Sequence, residues 1–206
     1  MYRKIAIFLT VLFQPLIVPS LVVALLFYAI PESTSVPAGN RWSIWLLVME
    51  TTLLIPMLSV IGMRMTSSIP SLHMKTKEQR VWPFSVTALL YLMTWGFFYF
   101  KLHIDPLLVF SLGVITICVV LLTVITYFWR ISAHITGLSG LLAIIAVLSQ
   151  RFPAHPLLYF LIGSVILCGL VASARLYLDA HKPAEILGGF ILGFSVCFFA
   201  FYWYPF

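Results

Sequence analysis

Residues 172–189 read ASARLYLDAHKPAEILGG and separate the last two long apolar runs of the chain. Within this stretch, charged and histidine side chains gather at Arg175, Asp179, His181, Lys182 and Glu185. Such groups are costly between membrane-spanning runs unless they are paired or reach water, so the cluster indicates a functional site. Proline is favoured in the first turn of a helix, which predicts a helix start just after His181. That histidine would lie at the positive end of the helix dipole, where anions bind.

The composition of the chain is that of a membrane protein. It has 206 residues, of which 62% are hydrophobic and 9% are charged, whereas soluble domains carry about 25% charged residues. A helix of about 20 apolar residues spans a bilayer. Candidate spans lie at about residues 5–30, 43–63, 84–100, 107–129, 134–150, 157–178 and 184–204.

The sequence therefore predicts an all-α, polytopic transmembrane helix bundle of six to seven spans, since two candidates are near the short limit. We expect a single membrane-embedded domain over 1–206, with a motif-bearing core at about 64–204, in a bacterial inner membrane. The net charge of +6 is expected to face anionic lipid or substrate, with no nucleic-acid partner.

Three interpretations concern residues inside the predicted spans. Cysteines 118, 168 and 197 lie in apolar runs and are predicted to be buried thiols. Gly189 and Gly193 are predicted to form a helix-packing seam. Glu50 is predicted to face the bundle, where it either pairs with a buried basic or hydroxyl group or lines a cavity.

Polar residues concentrate in three patches: the segment 64–83, Ile131–His134 and Arg175–Glu185. Two predicted spans separate each patch from the next, so all three are expected on the membrane face that carries the N-terminus. Together they hold cations, two histidines and a carboxylate. This set suits metal-free phosphoryl chemistry, because cations offset the phosphoryl charge, one imidazole attacks, and another protonates the leaving oxygen. A carboxylate can hold the attacking imidazole in the required tautomer.

The third patch carries the most specific spacing. Arg175 and His181 are separated by five residues, and Glu185 follows after three more. This pattern resembles the motif Ser-Arg-x5-His-x3-Asp of the type 2 phosphatidic acid phosphatases, which share a site with the vanadium haloperoxidases. Ala174 stands in place of the family's serine, and Glu185 stands in place of its aspartate.

The other two family motifs are matched in part. Ser132 and His134 are kept from Pro-Ser-Gly-His, with isoleucine and alanine at the remaining positions. In the motif Lys-x6-Arg-Pro, Lys75 has the family's spacing, but Trp82 occupies the arginine position and Arg80 lies two residues early. Either Lys75 or its neighbour at position 77 would serve the site.

The resemblance implies a metal-independent phosphatase, without a cofactor, that acts on a lipid phosphate or diphosphate. His181 would be the nucleophile that forms a phosphohistidine, His134 the general acid, and Glu185 the residue that orients His181. The phosphate would be held by Arg175, Arg80, Lys75 and Ser132. The lipid stays open among phosphatidic acid, phosphatidylglycerol phosphate, a polyprenyl diphosphate and a lipid A phosphate, as does transfer to an acceptor other than water.

Three alternatives compete with this interpretation. Residues 137–140 read GLSG, which resembles the Gly-x-Ser-Gly of rhomboid proteases, so Ser139 and His181 would form an intramembrane serine protease dyad. The departures at Trp82, Ala174 and Glu185 favour a non-catalytic lipid-binding protein of the same fold. Arg175 and Glu185 would otherwise be a structural ion pair at a helix end.

Overall fold

The fold is helical throughout. The computed structural model describes residues 2–69, 76–102 and 104–206, without the side chain of Lys77, and all regular secondary structure in these residues is helical. Among them, seven helices are long and apolar enough to cross a membrane: Tyr2–Ala29, Ala38–Met65, Glu78–Leu102, Pro106–Thr126, Ala133–Arg151, Leu157–Tyr177 and Pro183–Tyr202. The predicted all-α, multi-span architecture is confirmed, with the higher of the two predicted counts.

The helical segments follow in a simple order. The α-helices are α1 (Tyr2–Leu12), α2 (Val18–Ala24), α3 (Ala38–Met49), α4 (Ile55–Met65), α5 (Lys77–Phe97), α6 (Pro106–Thr126), α7 (Ala133–Arg151), α8 (Leu157–Tyr177) and α9 (Pro183–Tyr202). The first three spans also contain π-helical turns, at Leu25–Ala29, Glu50–Leu54 and Phe98–Leu102. Short 3-10 turns lie at Pro15–Ile17 and Pro31–Ser33.

Two predicted boundaries are wrong. The second span begins at Ala38 and not near residue 43, and α5 begins at Lys77 and not near residue 84. Lys77, Glu78 and Arg80 therefore belong to the helix, and Glu78 lies in its first turn, where a negative charge complements the dipole. Arg80 is therefore a helical residue.

The second span changes its hydrogen-bonding pattern at its centre. Pro56 has no backbone N–H and cannot bond to the Thr52 carbonyl four residues earlier. The hydroxyl of the buried Tyr91 donates to that carbonyl at 3.0 Å. A side chain of α5 therefore satisfies the group that the proline leaves open, next to the π-helical turn.

Glu50 begins this π-helical turn, and the prediction that it faces the bundle is wrong. Its side chain is exposed and makes no hydrogen bond or ion pair to any residue that the structure describes. Val48 and Thr52 are the buried residues of this turn, with 0% and 1% exposure. Residues two positions apart lie on opposite sides of a helix, so burial of these neighbours directs Glu50 outward.

Contacts within the chain define two compact units, Met1–Val18 with Ile131–Phe206, and Pro19–Arg130. In the first, α7 packs against both α8 and α9, and α1 packs against α8. In the second, α5 packs against α4 and α6. The single domain expected over 1–206 stays a prediction. The three cysteines are buried thiols, as predicted.

Glycines set the distance between α7 and α9. A Cβ atom at Gly189 would lie 2.6 Å from the carbonyl oxygen of Ser132, and one at Gly193 would overlap the carbonyl of Thr136. Glycine lets two helix backbones approach closely. The predicted seam is thereby confirmed, and it holds the start of α7 against the first turns of α9.

Candidate functional site

A buried histidine–carboxylate pair stands at the start of α9. The Oε2 atom of Glu185 lies 2.8 Å from Nδ1 of His181, and the two side chains are 9% and 1% exposed. A carboxylate only accepts hydrogen bonds, so Nδ1 carries the proton and Nε2 keeps the lone pair. The contact therefore holds the imidazole in the tautomer that a nucleophile at Nε2 requires.

The helix start itself positions Glu185. Lys182 has an extended backbone, Pro183 opens the helix as predicted, and Glu185 is its third residue. The Oε2 atom of Glu185 also accepts the backbone N–H of Lys182 at 3.2 Å. A glutamate at this position normally reaches back to the residue that caps the helix. Its extra methylene, relative to aspartate, lets one oxygen bind both the cap and His181.

Ser132 brings α7 to this turn. Its backbone N–H donates to the carbonyl of Glu185 at 3.0 Å, and the residue is 0% exposed. Its hydroxyl has no hydrogen-bond partner among the residues that the structure describes. A buried, unsatisfied hydroxyl costs about 1–3 kcal/mol. A polar ligand atom at this position would remove that cost.

His134 lies two residues further, in the first turn of α7. Its Nε2 atom is 3.1 Å from the carbonyl oxygen of Thr10 on α1. Because a carbonyl only accepts, Nε2 donates and the neutral ring carries its proton there. The contact fixes the ring and also joins α7 to α1. No sequence pattern identifies Thr10, since it contributes only a backbone carbonyl.

Arg175 lies in the last turn of α8, just before the chain reverses towards His181. The reversal is closed by the backbone N–H of Ala180, which donates to the carbonyl of Arg175 at 3.1 Å. Asp179 has a left-handed backbone with φ of 50°, a conformation that aspartate tolerates better than most residues. This tight C-terminal turn sets the short path from Arg175 to His181.

The first motif lies in the second compact unit and in residues outside the described ranges. Arg80 is 5% exposed in the first turn of α5, whereas Trp82, at the family's arginine position, is 58% exposed. Arg80 belongs to the second compact unit, and its assignment to the phosphate stays a prediction. Lys75 and the side chain of Lys77 lie outside the described residues.

Ser139, the nucleophile of the protease alternative, is fully buried in the seam between α7 and α9. Its hydroxyl donates to the carbonyl of Thr136 at 3.2 Å and lies against Gly193. Gly193 is about 12 Å beyond Glu185 along the helix axis, at ~1.5 Å per residue. Ser139 and His181, both of which the structure describes, are not hydrogen-bonded to each other.

These features define a class of protein. The seven apolar helices fit an integral, multi-pass membrane protein, in which a buried imidazole–carboxylate pair and a buried hydroxyl meet where α7 and α9 begin. No protein-family model matches the chain, and comparisons with curated proteins and with solved structures give no match. Within the described residues, no group of three His, Cys, Asp or Glu side chains is arranged to hold a metal ion.

Proposed function

We propose that the chain is a membrane phosphatase that hydrolyses a lipid phosphate or diphosphate through a phosphohistidine on His181. The observation that supports this most is the buried contact between His181 Nδ1 and Glu185 Oε2 at 2.8 Å. Perturbed, buried ionisable groups concentrate at functional sites. Here the carboxylate is directed at an imidazole, the pairing that prepares a nitrogen nucleophile.

The reaction follows from the tautomer of His181. The Nε2 lone pair attacks phosphorus, and the bond from phosphorus to the leaving oxygen breaks. His134, protonated on both ring nitrogens, keeps its Nε2–H on the Thr10 carbonyl and gives its Nδ1 proton to that oxygen. Glu185 stabilises the charge that develops on the attacking ring. Water then attacks the phosphohistidine, His134 takes the proton back, and phosphate and free His181 are released.

The phosphoryl oxygens need donors that are fixed before the reaction. The Ser132 hydroxyl is buried and without a described partner, and it lies at the start of α7, which is bonded to the first turn of α9. Two helix N-termini that meet are favourable for an anion. Arg175 would supply a cation, and Arg80 and Lys75 are added on the sequence resemblance alone.

Phosphate release tests the proposal. The detergent-purified protein is assayed with EDTA across the four lipid classes named above. Turnover should fall by at least about 10³-fold in His181→Ala, because the nucleophile is lost. His155→Ala is the matched control, since it removes a histidine from the loop between α7 and α8. Full turnover in the His181 variant would refute the mechanism.

A folded wild-type protein that binds these lipids and releases no phosphate would instead favour the non-catalytic alternative. Lipid binding, measured on the same preparations, distinguishes a protein that binds lipid without hydrolysing it from one that does not bind lipid. If the wild type and His181→Ala bind lipid equally and neither releases phosphate, the protein is folded but is not a phosphatase.

A further inference from the structure

We propose that Glu50 is the centre of an interface with a second copy of this chain inside the bilayer. It is exposed on a helix that the composition places in the membrane, and its carboxyl group has no partner among the residues that the structure describes. Polar groups in transmembrane helices almost always face another polar group or water. A second copy of the chain can supply the partner that Glu50 lacks among the described residues.

Glu50 lies too deep in the membrane for its side chain to reach the lipid head groups. The span Ala38–Met65 has 28 residues, and Glu50 lies about 18 Å from its first residue and about 22 Å from its last, at ~1.5 Å per residue. The hydrocarbon core is about 30 Å thick. A glutamate side chain is much shorter than the remaining distance, so lipid head groups cannot satisfy it.

A second copy offers the matching chemistry. A protonated carboxyl group both donates and accepts a hydrogen bond, so two such groups satisfy each other. In a dimer with a twofold axis along the membrane normal, each residue lies at the same depth as its own counterpart, and residues beside the axis meet it. Glu50 is therefore self-complementary if the axis passes beside it.

The surface around Glu50 has the shape that such an interface needs. Exposed apolar side chains continue from it along α4 with helical spacing, at Leu54, Leu58, Ile61 and Met65. We name this surface the Glu50 stripe. Gly62 lies beside it, and a Cβ atom built there would meet nothing within 4 Å. Small residues on such a face allow two helices to approach closely.

The oligomeric state in liposomes tests the interface. Subunits are counted by single-molecule photobleaching while the protein-to-lipid ratio is varied. Glu50→Leu should weaken dimerisation about 5- to 30-fold, the usual range for one polar contact between helices. Glu50→Gln should retain the dimer, since an amide also donates and accepts. Ile162→Ala, an exposed apolar site on α8, is the control that should change nothing.

Crosslinking provides a second measurement that does not depend on affinity. Leu54→Cys lies on the Glu50 stripe, and the native cysteines are buried. Oxidation should convert this variant to a covalent dimer and leave Ile162→Cys monomeric. A protein that is monomeric at every density, equal dimerisation of wild type and Glu50→Leu, or equal crosslinking at both cysteine positions would overturn the proposal.

Discussion

Two clusters of polar side chains in this protein use similar groups in different ways. In the second compact unit, Arg41 and Asp105 direct their charged atoms mainly at backbone groups of nearby segments. At the start of α9, Glu185 directs its carboxylate at the ring of His181, and the Ser132 hydroxyl beside it is left without a described partner. The charges of the first cluster bind mainly backbone groups, whereas the carboxylate of the second binds another side chain.

Arg41 shows what a purely structural cation does. Its guanidinium donates to the carbonyls of Val36, Phe27 and Pro31 at 3.1, 2.9 and 2.9 Å. Pro31 has no N–H for the Phe27 carbonyl four residues earlier, and Arg41 supplies that donor. Each of its three nitrogens therefore has a backbone acceptor.

Asp105 does the same with its oxygens. One oxygen accepts the backbone N–H and the hydroxyl of Ser35, each at 2.8 Å, and the other accepts the N–H of Leu108 at 2.9 Å. Asp105 is thus the N-cap of α6 and also anchors the loop before α3 through Ser35. The two clusters differ in where the charge is directed. Backbone groups take up most of the charge of Arg41 and Asp105, whereas Glu185 acts on another side chain, which is the basis of its proposed catalytic role.

The largest effect is expected where the carboxylate controls the ring. In Glu185→Gln, the side chain can still accept the Lys182 N–H, but it no longer stabilises a charged His181. We expect turnover to fall about 10²- to 10⁴-fold, the range that acid–base and orienting groups contribute. Phosphate-release assays check the rate, and thermal unfolding in detergent checks the fold. Unchanged turnover would place Glu185 in the structural class beside Asp105.

Removing the unsatisfied hydroxyl should separate activity from stability. Ser132→Ala removes one fixed donor to the phosphoryl group, so turnover should fall by up to about 10²-fold. The free energy of unfolding should stay equal or rise, because a buried group without a partner is lost. Parallel measurements of turnover and unfolding are decisive. A large loss of stability with normal turnover would contradict the proposed role.

The structural cluster should respond in the opposite way. Asp105→Asn weakens the bonds to Ser35, and we expect about 1–3 kcal/mol of destabilisation. Turnover per folded molecule should not change. Thermal unfolding measures the loss of stability, and turnover divided by the folded fraction measures the activity of each folded molecule. A specific loss of turnover in a fully folded variant would show that the distinction between the two clusters is wrong.

The smallest effect is expected at Ser139. Its hydroxyl bonds only within its own helix turn. Ser139→Ala should therefore change phosphate release less than about twofold, because it is a small substitution away from the proposed site. The same variant tests the protease alternative. Peptide cleavage by the wild type that disappears in Ser139→Ala would replace the phosphatase proposal.

The sequence predicts the candidate site best where one continuous segment forms it. Pro183 predicts the start of α9, and the four-residue step from His181 to Glu185 then brings the two side chains within reach. Spacing alone was sufficient there, because one helix turn determines the geometry.

The sequence does not predict which side of a helix its neighbours cover. The cost of a charge in the membrane predicted that Glu50 would be buried, but the burial of Val48 and Thr52 directs it outward. Likewise, the sequence predicts that the third span begins near residue 84, although the charged residues at positions 77, 78 and 80 form the first turn of α5. The sequence shows which residues are polar, but it does not show which neighbouring helix buries them.

The covalent intermediate is the most direct test of the central claim. The purified protein is mixed with a radiolabelled lipid phosphate, quenched in alkali and mapped by mass spectrometry. We predict a phosphoryl group on His181 that is stable in alkali and lost in acid, and that is absent in His181→Ala. Phosphate release without any phosphorylated histidine, or with the label on another residue, would contradict the account.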